Sequence, residues 1–340
     1  MRKRFIFNRL VFGVNIIFAF ALLFTCLNSY LTTNLLSLLH ILNLFVPLLF
    51  LINVFFCLYW VLKRKKQFFL SFLSLSIGYF SFGFFYRIDS EKKDSGTNSL
   101  TIMNYNVWGF NKNEWIKEPN IGNKIIEFIK DENPDILCLQ EHSRIRYKQL
   151  QQYPYRSETP YSTPRSIQAI FSKYPIVSNG SLDLPGTTNN IVYADILYQK
   201  DTIRVYNLHL QSYSIVPSSQ TLTEAESEQT YRKVLNTFDK QLEQAKIFQK
   251  HREESPYKTV ISGDFNNTQF SNVYRIVKGD FKDSFIEAGK GFGRTYDLKR
   301  LPMRIDYIMT DNSFEILQHE NYDVKLSDHY PIKVTLRIKD

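Results

Sequence analysis

The sequence predicts an all-α membrane region followed by an α/β domain in which helices cover β-sheets. The first 86 residues contain no Asp or Glu and include three long apolar stretches. From residue 99 onwards, short apolar segments typical of strands alternate with segments whose apolar residues have helical spacing. This alternation indicates sheets covered by helices in one compact domain of about 240 residues, 99–340.

The apolar stretches predict three transmembrane helices within residues 1–87, at about 10–31, 35–62 and 68–86. A bilayer core requires roughly 20 apolar residues per helix, and each stretch approaches or exceeds that length. Polar residues within them, such as Asn15 and Asn53, can pair between helices. A soluble helical domain is a weaker alternative because no acidic side chain is available for its outer face. A cleaved signal peptide is also weaker, since no small-residue cleavage site follows the first stretch.

Basic residues predict the orientation of these helices. Four of them precede the first helix, and four more lie between the second and third: Lys63, Arg64, Lys65 and Lys66. Both groups should face the cytoplasm. Three crossings then place everything after Tyr86 outside the cytoplasmic membrane, in a multi-pass protein with its N-terminus inside. The inverted arrangement, with a cytoplasmic domain, remains the alternative. The lipid bilayer is the expected partner, and no obligate protein partner is evident.

The charge of the rest of the chain argues mildly against unspecific binding to long DNA. The first 86 residues take eight of the 42 Lys and Arg residues and none of the 33 Asp and Glu residues, which leaves 34 basic and 33 acidic residues after them. A nucleic-acid-binding domain normally carries the basic excess itself. The three cysteines, Cys26, Cys57 and Cys138, do not identify a redox compartment.

Residues 88–98 are polar, contain Gly and Ser, and predict a linker. Two helices are expected beyond it, at 121–130 and 224–250. The expected strands are 99–107, 135–139, 167–171, one starting at Ile176, 191–197, 203–210, 258–262, 304–309 and 332–338. The strands 191–197 and 203–210 should form a hairpin.

Polar side chains end or interrupt several of these strands. They are Asn106, Glu141, Asn207, His209, Asp264, Asn266, Asp306, Asp328 and His329. In the stretch ISGDFNNT, Gly263 is expected to permit a bend after the strand. Each feature alone is compatible with an ordinary turn, cap or buried histidine. If the strand ends converge at one edge of a sheet, they form one site.

The residue types suit phosphoester hydrolysis. Carboxylate and amide oxygens are ligands for Mg²⁺, with Mn²⁺ as a second possibility. A carboxylate such as Asp264 can activate water, and the two histidines can stabilise charge or pass protons. An aspartate such as Asp306 can hold one imidazole in the required tautomer.

The order of these motifs resembles the endonuclease/exonuclease/phosphatase superfamily, the deoxyribonuclease I-like fold. The resemblance covers roughly Leu100 to Ile338 and rests on YNVW, LQE, IFSKYPI, NLHL, SGDFN, RIDYIM and SDH. It implies a four-layer α/β (α+β) sandwich, two central β-sheets flanked by helices.

The resemblance also implies a role for each matching position. Glu141 would be the main ligand of a catalytic Mg²⁺, with Asn106 beside it and Asp328 as a further ligand of the metal or its water. Asn190, or its neighbour Asn189, would contact the phosphate. A phosphate-binding Tyr is not identified among Tyr153, Tyr155 and Tyr161.

The remaining roles concern the reacting groups. Asp264 would orient and deprotonate the attacking water, and Asn266 would contact the phosphate. His329, oriented by Asp306, and His209 would also lie on the phosphate. The expected function is a membrane-anchored, Mg²⁺-dependent phosphodiesterase or phosphatase acting on a lipid headgroup, nucleotide or nucleic acid. A membrane-tethered nuclease is the alternative, and a non-catalytic binding module is less favoured because all core positions are retained.

Overall fold

The structure, a computed structural model, describes residues 2–31, 37–83, 85–88, 98–161, 166–213, 224–298 and 301–339. The chain forms two compact units. The helical unit comprises Met1–Phe85, Glu224–Leu242 and Asn267–Arg275, and the sheet unit comprises Tyr86–Thr223, Glu243–Asn266 and Ile276–Asp340. The predicted linker lies outside the described residues apart from its two ends, so the structure does not test it.

The apolar part of the helical unit contains α1 (Arg2–Asn28), a 3₁₀ helix (Ser37–Phe45), α2 (Val46–Leu62) and α3 (Phe68–Phe82). Pro47, which is tolerated only in the first turn, lies where α2 begins. Among the residues that the structure describes, two segments are long and apolar enough to cross a membrane, Phe5–Asn28 and Ile41–Leu62, each with a mean hydropathy of 2.5. The third helix, α3, has 15 residues and is shorter than the roughly 17 to 25 residues that a crossing normally takes.

The described part of the apolar helices has polar groups inside and apolar groups outside. Asn15, fully buried, donates to the Ser71 hydroxyl at 2.7 Å and accepts from the Trp60 indole at 2.9 Å. By contrast, Leu62 and Phe80 are each 83% exposed. Burying polar groups while exposing apolar ones is unfavourable in water but is expected of helices surrounded by lipid.

The sheet unit contains fourteen described strands. They are β1 (Leu100–Asn106), β2 (Ile136–Gln140), β3 (Tyr155–Glu158), β4 (Ala169–Ser172), β5 (Ile176–Leu182), β6 (Ile191–Tyr198), β7 (Asp201–His209), β8 (Lys258–Asp264), β9 (Lys282–Asp283), β10 (Tyr296–Leu298), β11 (Leu301–Met303), β12 (Asp306–Thr310), β13 (Phe314–Asn321) and β14 (Ile332–Ile338). The expected hairpin is confirmed, with β6 and β7 antiparallel.

These strands form two mixed six-stranded sheets and one small ribbon. The first sheet has the order β13-β14-β1-β2-β4-β3, and the second has the order β5-β6-β7-β8-β12-β9. The ribbon pairs β10 with β11. Four described α-helices accompany them along the chain: α4 (Ile121–Glu132), α5 (Glu224–Glu253), α6 (Asn272–Lys278) and α7 (Ser284–Ala288).

Alternation of side chains along the strands produces the layers. On β1, Leu100 and Ile102 belong to a buried cluster that joins both sheets, whereas Met103 and Tyr105 pack with the apolar face of α4. On the outer face of the second sheet, Tyr206 contacts Phe248 of α5, with ring centroids 5.0 Å apart. Helices therefore flank two central sheets, and the predicted four-layer sandwich is confirmed.

Candidate active site

The second sheet aligns three of the predicted site residues by its register. His209 of β7 pairs with Asp264 of the parallel strand β8, and Asp264 pairs with Asp306 of the antiparallel strand β12. In the first sheet, Asn106 pairs with Gln140, the residue before Glu141. All five positions lie at the same end of the sandwich, because Asn106 of the first sheet donates to Asp264 of the second, and Glu141 Oε1 lies 3.9 Å from His209 Nε2.

Asp264 is the centre of this group and is 1% exposed. Its Oδ2 accepts from Asn106 Nδ2 at 3.1 Å and lies 3.8 Å from His209 Nε2 and 3.6 Å from His329 Nε2. Its Oδ1 accepts from the backbone N–H of Asn266 at 2.8 Å. Burial raises the pKa of Asp264 to about 6, helped by the Asp306 carboxylate and opposed by the two histidines. A carboxylate with this pKa is suited to accept a proton near neutral pH.

His329 and Asp306 form a buried dyad. His329 Nδ1 lies 2.8 Å from Asp306 Oδ2, so Nδ1 carries the proton of this hydrogen bond and Nε2 faces Asp264. Burial alone would lower the pKa of His329, but the carboxylates of Asp306, Asp264 and Asp328 together raise it well above its usual value. His329 is therefore expected to be a cation at neutral pH.

Glu141 and Asp328 form the more open side of the site. Glu141 has a left-handed backbone (φ 51°), its side chain is 35% exposed, and its Oε1 accepts from Asn106 Nδ2 at 3.3 Å. Burial raises the pKa of Asp328, with the His329 cation opposing and the Glu141 carboxylate adding to the increase. Two neighbouring carboxylates with this mutual repulsion fit a hard divalent cation.

Asn106 fits the predicted metal site only after its amide turns. In the structure its Oδ1 accepts from the Trp108 N–H at 3.1 Å, while Nδ2 points towards Glu141 and Asp264. Glu141 and Asp328 already present oxygens, so they carry the fit to Mg²⁺ or Mn²⁺.

A second group also offers ligand atoms, since those of Asp264, Asp306 and His329 lie within 4.8 Å of one another. Within this group, His329 Nδ1 and Asp306 Oδ2 already share a hydrogen bond. The placement of the cation beside Glu141 stays a prediction.

The two asparagines predicted to contact the phosphate differ in their surroundings. Asn266 donates through Nδ2 to Leu210 O at 3.0 Å and to Asp264 Oδ2 at 3.3 Å, so it lies in the site. Asn190 is buried, donates to Ser166 O at 2.7 Å and accepts from the Thr159 hydroxyl at 3.1 Å. Its backbone carbonyl accepts from the N–H of His209. In the structure Asn190 therefore stabilises the strand of His209 through this backbone hydrogen bond. Its contact with phosphate stays a prediction.

The three candidate tyrosines differ in accessibility. The Tyr153 hydroxyl donates to Pro134 O at 3.0 Å, inside the core. Tyr155 is 39% exposed and Tyr161 is 72% exposed. The Arg144 guanidinium lies 3.8 Å from the centre of the Tyr161 ring.

Gly263 does not have the role expected from the sequence. It remains within β8, which ends at Asp264, and its φ of 149° lies in a region that favours glycine. A Cβ there would lie 2.1 Å from the Leu208 carbonyl oxygen of the neighbouring strand. Gly263 thus permits close approach of two strands, whereas the chain turns at Asn266, whose φ is 49°.

The sequence pattern marked Asn207 as a polar residue near a strand end, but no role was expected for it or for the other polar residues that lie one layer deeper. Asn104, Gln140, Asn207 and Ser262 are fully buried on the faces between the sheets. Tyr296, whose ring centroid is 5.1 Å from that of His329, was also missed. A period-two interpretation of β1, β7 and β8 would have placed Asn104, Asn207 and Ser262 on the same face as the site, because each lies two residues before a site residue.

Comparisons with known proteins agree with this geometry. The model of the Endonuclease/Exonuclease/phosphatase family matches residues 103–329, and that of a domain of unknown function (DUF8431) matches residues 8–85. No curated protein matches the sequence.

Solved structures are similar in fold. An endonuclease/exonuclease/phosphatase from Beutenbergia cavernae is 16% identical with a TM-score of 0.55, covering 71% of this chain and 72% of its own. A family protein from Bacteroides thetaiotaomicron is 18% identical with a TM-score of 0.52, covering 71% and 98%. A truncated Caenorhabditis elegans TDP2 is 16% identical with a TM-score of 0.54, covering 72% and 100%. The family match spans well over half of the chain, which therefore belongs to the endonuclease/exonuclease/phosphatase family.

Proposed function

We propose that this protein is a membrane-anchored, divalent-metal-dependent hydrolase of phosphoesters. The observation that carries the proposal is the environment of Asp264 Oδ2, which lies within 3.8 Å of two histidine Nε2 atoms and next to an amide that also contacts Glu141. A base, two groups suited to negative charge and a carboxylate pair for a cation are thus within a few ångströms.

Asp264 acts as the base in this proposal. It accepts a proton from water, whose oxygen then forms the new bond to phosphorus as the ester P–O bond breaks on the opposite side. The backbone N–H of Asn266 holds Oδ1 of Asp264, which leaves Oδ2 directed into the site. Asn266 itself lies beside Asp264 and is assigned to the phosphate.

His329 and His209 receive the developing charge. The Asp306 carboxylate orients His329 and keeps it cationic, so that Nε2 can donate to a phosphoryl oxygen. His209 Nε2 lies between Asp264 and Glu141, 3.8 Å and 3.9 Å from their oxygens, and is assigned to stabilise the phosphate or protonate the leaving oxygen. Glu141 and Asp328, with Asn106 after rotation of its amide, would hold Mg²⁺. When bound, this ion offsets phosphoryl charge as a Lewis acid.

We assign the helical unit to a bilayer on the basis of its exposed apolar side chains and its buried Asn15 network. Three crossings with the basic loop Lys63–Lys66 in the cytoplasm would place residues 99–340 outside. The 15 residues of α3 extend about 22 Å at 1.5 Å per residue, less than the roughly 30 Å hydrocarbon core. The length of α3 therefore leaves the side of the membrane on which residues 99–340 lie to a separate experiment.

A substrate panel tests the activity. The full chain should be used in lipid nanodiscs, because the helical unit also includes Asn267–Arg275, which begins three residues after Asp264. The panel contains sphingomyelin, glycerophospholipids, a cyclic nucleotide, single- and double-stranded DNA, and bis(4-nitrophenyl) phosphate. We expect hydrolysis of at least one phosphoester, its loss with EDTA and its return with Mg²⁺. Turnover that is indifferent to chelation, or no turnover of any phosphoester, would contradict the proposal.

A further inference from the structure

Four buried polar side chains form a continuous layer beneath the site. This amide layer consists of Asn104, Gln140, Asn207 and Ser262, each with 0% exposure. On β1, β7 and β8 the layer lies between the apolar core and the site. In β1, for example, Leu100 and Ile102 belong to the core, Asn104 to the layer and Asn106 to the site. Buried polar groups are costly unless they are hydrogen-bonded, so the contacts within this layer are informative.

The hydrogen bonds of the layer fix the orientation of each side-chain amide, as Asn207 shows first. Its Nδ2 donates to two backbone carbonyls, Leu139 O at 2.9 Å and Ala169 O at 3.0 Å. The side-chain oxygen of Asn207 must therefore be the acceptor, and Gln140 Nε2 donates to it at 2.6 Å. Turning either amide over would place oxygen against oxygen or nitrogen against nitrogen.

The same direction continues to Asn104. Gln140 Nε2 also donates to Asn104 Oδ1 at 2.8 Å, and the Ser262 hydroxyl donates to that oxygen at 2.9 Å. With its oxygen held by two donors, Asn104 presents Nδ2 on its other side. That Nδ2 lies 3.4 Å from Asp306 Oδ1, the carboxylate oxygen that His329 does not contact.

We propose that Asn104 is a positioning residue for the Asp306–His329 dyad, with its amide oriented by Gln140 and Ser262. The inference rests on the proposed function in so far as it assigns the dyad to the phosphate. Asp306 Oδ2 binds His329, and a donor on Oδ1 fixes the plane of the carboxylate and therefore the direction of the imidazole.

The competing explanation is that the layer only satisfies polar groups buried between the sheets. The two explanations differ in how Asn104 couples to His329. A positioning residue loses its effect when the residue it positions is removed, whereas a general loss of stability adds to other substitutions. A double-mutant cycle therefore separates them.

The experiment compares Asn104→Leu, His329→Gln and the double variant in the full chain, with bis(4-nitrophenyl) phosphate as substrate. We expect Asn104→Leu to lower kcat about 10- to 100-fold with KM nearly unchanged, and to have no further effect in the His329→Gln background. Thr310→Val is the matched control, because Thr310 lies on the same strand as Asp306 and its buried hydroxyl has no hydrogen-bond partner among the described residues. Thr310→Val should retain wild-type kcat.

A second variant and a second measurement keep the inference testable if Asn104→Leu does not fold. Ser262→Ala removes one of the two donors to Asn104 Oδ1 and should lower kcat by a smaller factor, again only when His329 is present. In ¹⁵N-histidine-labelled protein, the Nδ1–H signal assigned to His329 by its loss in His329→Gln should shift in Ser262→Ala and not in Thr310→Val.

The outcomes separate the two proposals. An additive cycle, or a His329 signal that Ser262→Ala leaves in place, would overturn the positioning role of Asn104. Absence of turnover in the wild-type protein would instead refute the proposed function, and the His329 signal would still decide the positioning role.

Discussion

Asp264→Asn should lower the catalytic rate strongly while the protein still folds. The substitution keeps the size of the side chain but removes its ability to accept a proton from water. General bases contribute about 10²- to 10⁴-fold to the rate, so kcat should fall by at least about 100-fold. The fold should be retained, because among the described residues the side chain of Asp264 accepts hydrogen bonds from the neighbouring site groups Asn106 and Asn266.

The same substitution should stabilise the metal-free protein at alkaline pH. Burial raises the pKa of Asp264 from 3.8 to about 6. Since the folded protein binds this proton more tightly than the unfolded chain, stability is highest below the unfolded pKa and is lost as pH rises through the folded value. The loss amounts to about 3 kcal/mol above pH 6, at 1.36 kcal/mol per pKa unit. An asparagine does not ionise and so avoids this loss of stability. Its NH₂ group must, however, face a hydrogen-bond donor, which costs about 1 to 2 kcal/mol.

The net expectation is a gain of about 1 to 2 kcal/mol near pH 8 and a loss of about 1 to 2 kcal/mol near pH 4, where only the cost of the NH₂ group remains. Equilibrium unfolding of the full chain in detergent with EDTA measures it, beside turnover of bis(4-nitrophenyl) phosphate. Asp131→Asn, at an exposed position on α4, controls for the loss of one negative charge. Activity within a few-fold of wild type, or a loss of stability that is larger near pH 8 than near pH 4, would refute the assignment of Asp264 as a buried base.

Further predictions concern the metal, the membrane and a buried histidine. Glu141→Gln should abolish turnover and weaken Mn²⁺ binding measured by electron paramagnetic resonance; unchanged Mn²⁺ affinity would move the cation away from Glu141. A reporter fused after Asp340 should show an extracytoplasmic location, and a cytoplasmic signal would overturn three crossings with the N-terminus inside. Burial lowers the pKa of His319 from 6.5 to about 4, so its contribution to stability is present above pH 6.5 and is lost as pH falls towards 4, by about 3 kcal/mol at most. His319→Gln should flatten the pH dependence of unfolding over that range, and an unchanged slope would show that His319 is not held neutral.

The positions of the strand ends were predictable from the sequence because the buried part of a strand is apolar and the residue that ends it at the site is polar. In β7 and β8 an apolar run ends in the polar residue that the site needs, His209 or Asp264, so a local pattern marks the position. The pairing of His209, Asp264 and Asp306 depends on register between three strands. Sequence order alone does not give that register, and convergence had to be inferred from the resemblance of the motifs.

The strand β13 and the end of α3 were not predicted correctly, because the backbone is locally irregular at both places. In β13 the pairing shifts between Ile316 and Gln318, so the alternation of apolar and polar residues is interrupted and the strand was not predicted. The third apolar stretch was predicted to continue to Tyr86, but α3 ends at Phe82, before Gly83 with a φ of 72°.

The amide layer shows a more general limit. Asn104 and Asn207 have the residue type of turns, yet they lie inside strands and are fully buried. Their meaning depends on partners far away in the chain, such as Ser262 for Asn104. A single sequence offers no signal for such a contact beyond the period of two that places them on the inner face.

Hydrolysis in ¹⁸O-labelled water tests the central claim most directly. Wild-type protein and Asp264→Asn would be compared on bis(4-nitrophenyl) phosphate with Mg²⁺, and the products analysed by mass spectrometry. Attack of water on phosphorus places the label in the phosphate product and none in 4-nitrophenol, at a rate that collapses in Asp264→Asn. Label in the 4-nitrophenol, or the same rate of label incorporation in both proteins, would contradict a water-activating role for Asp264.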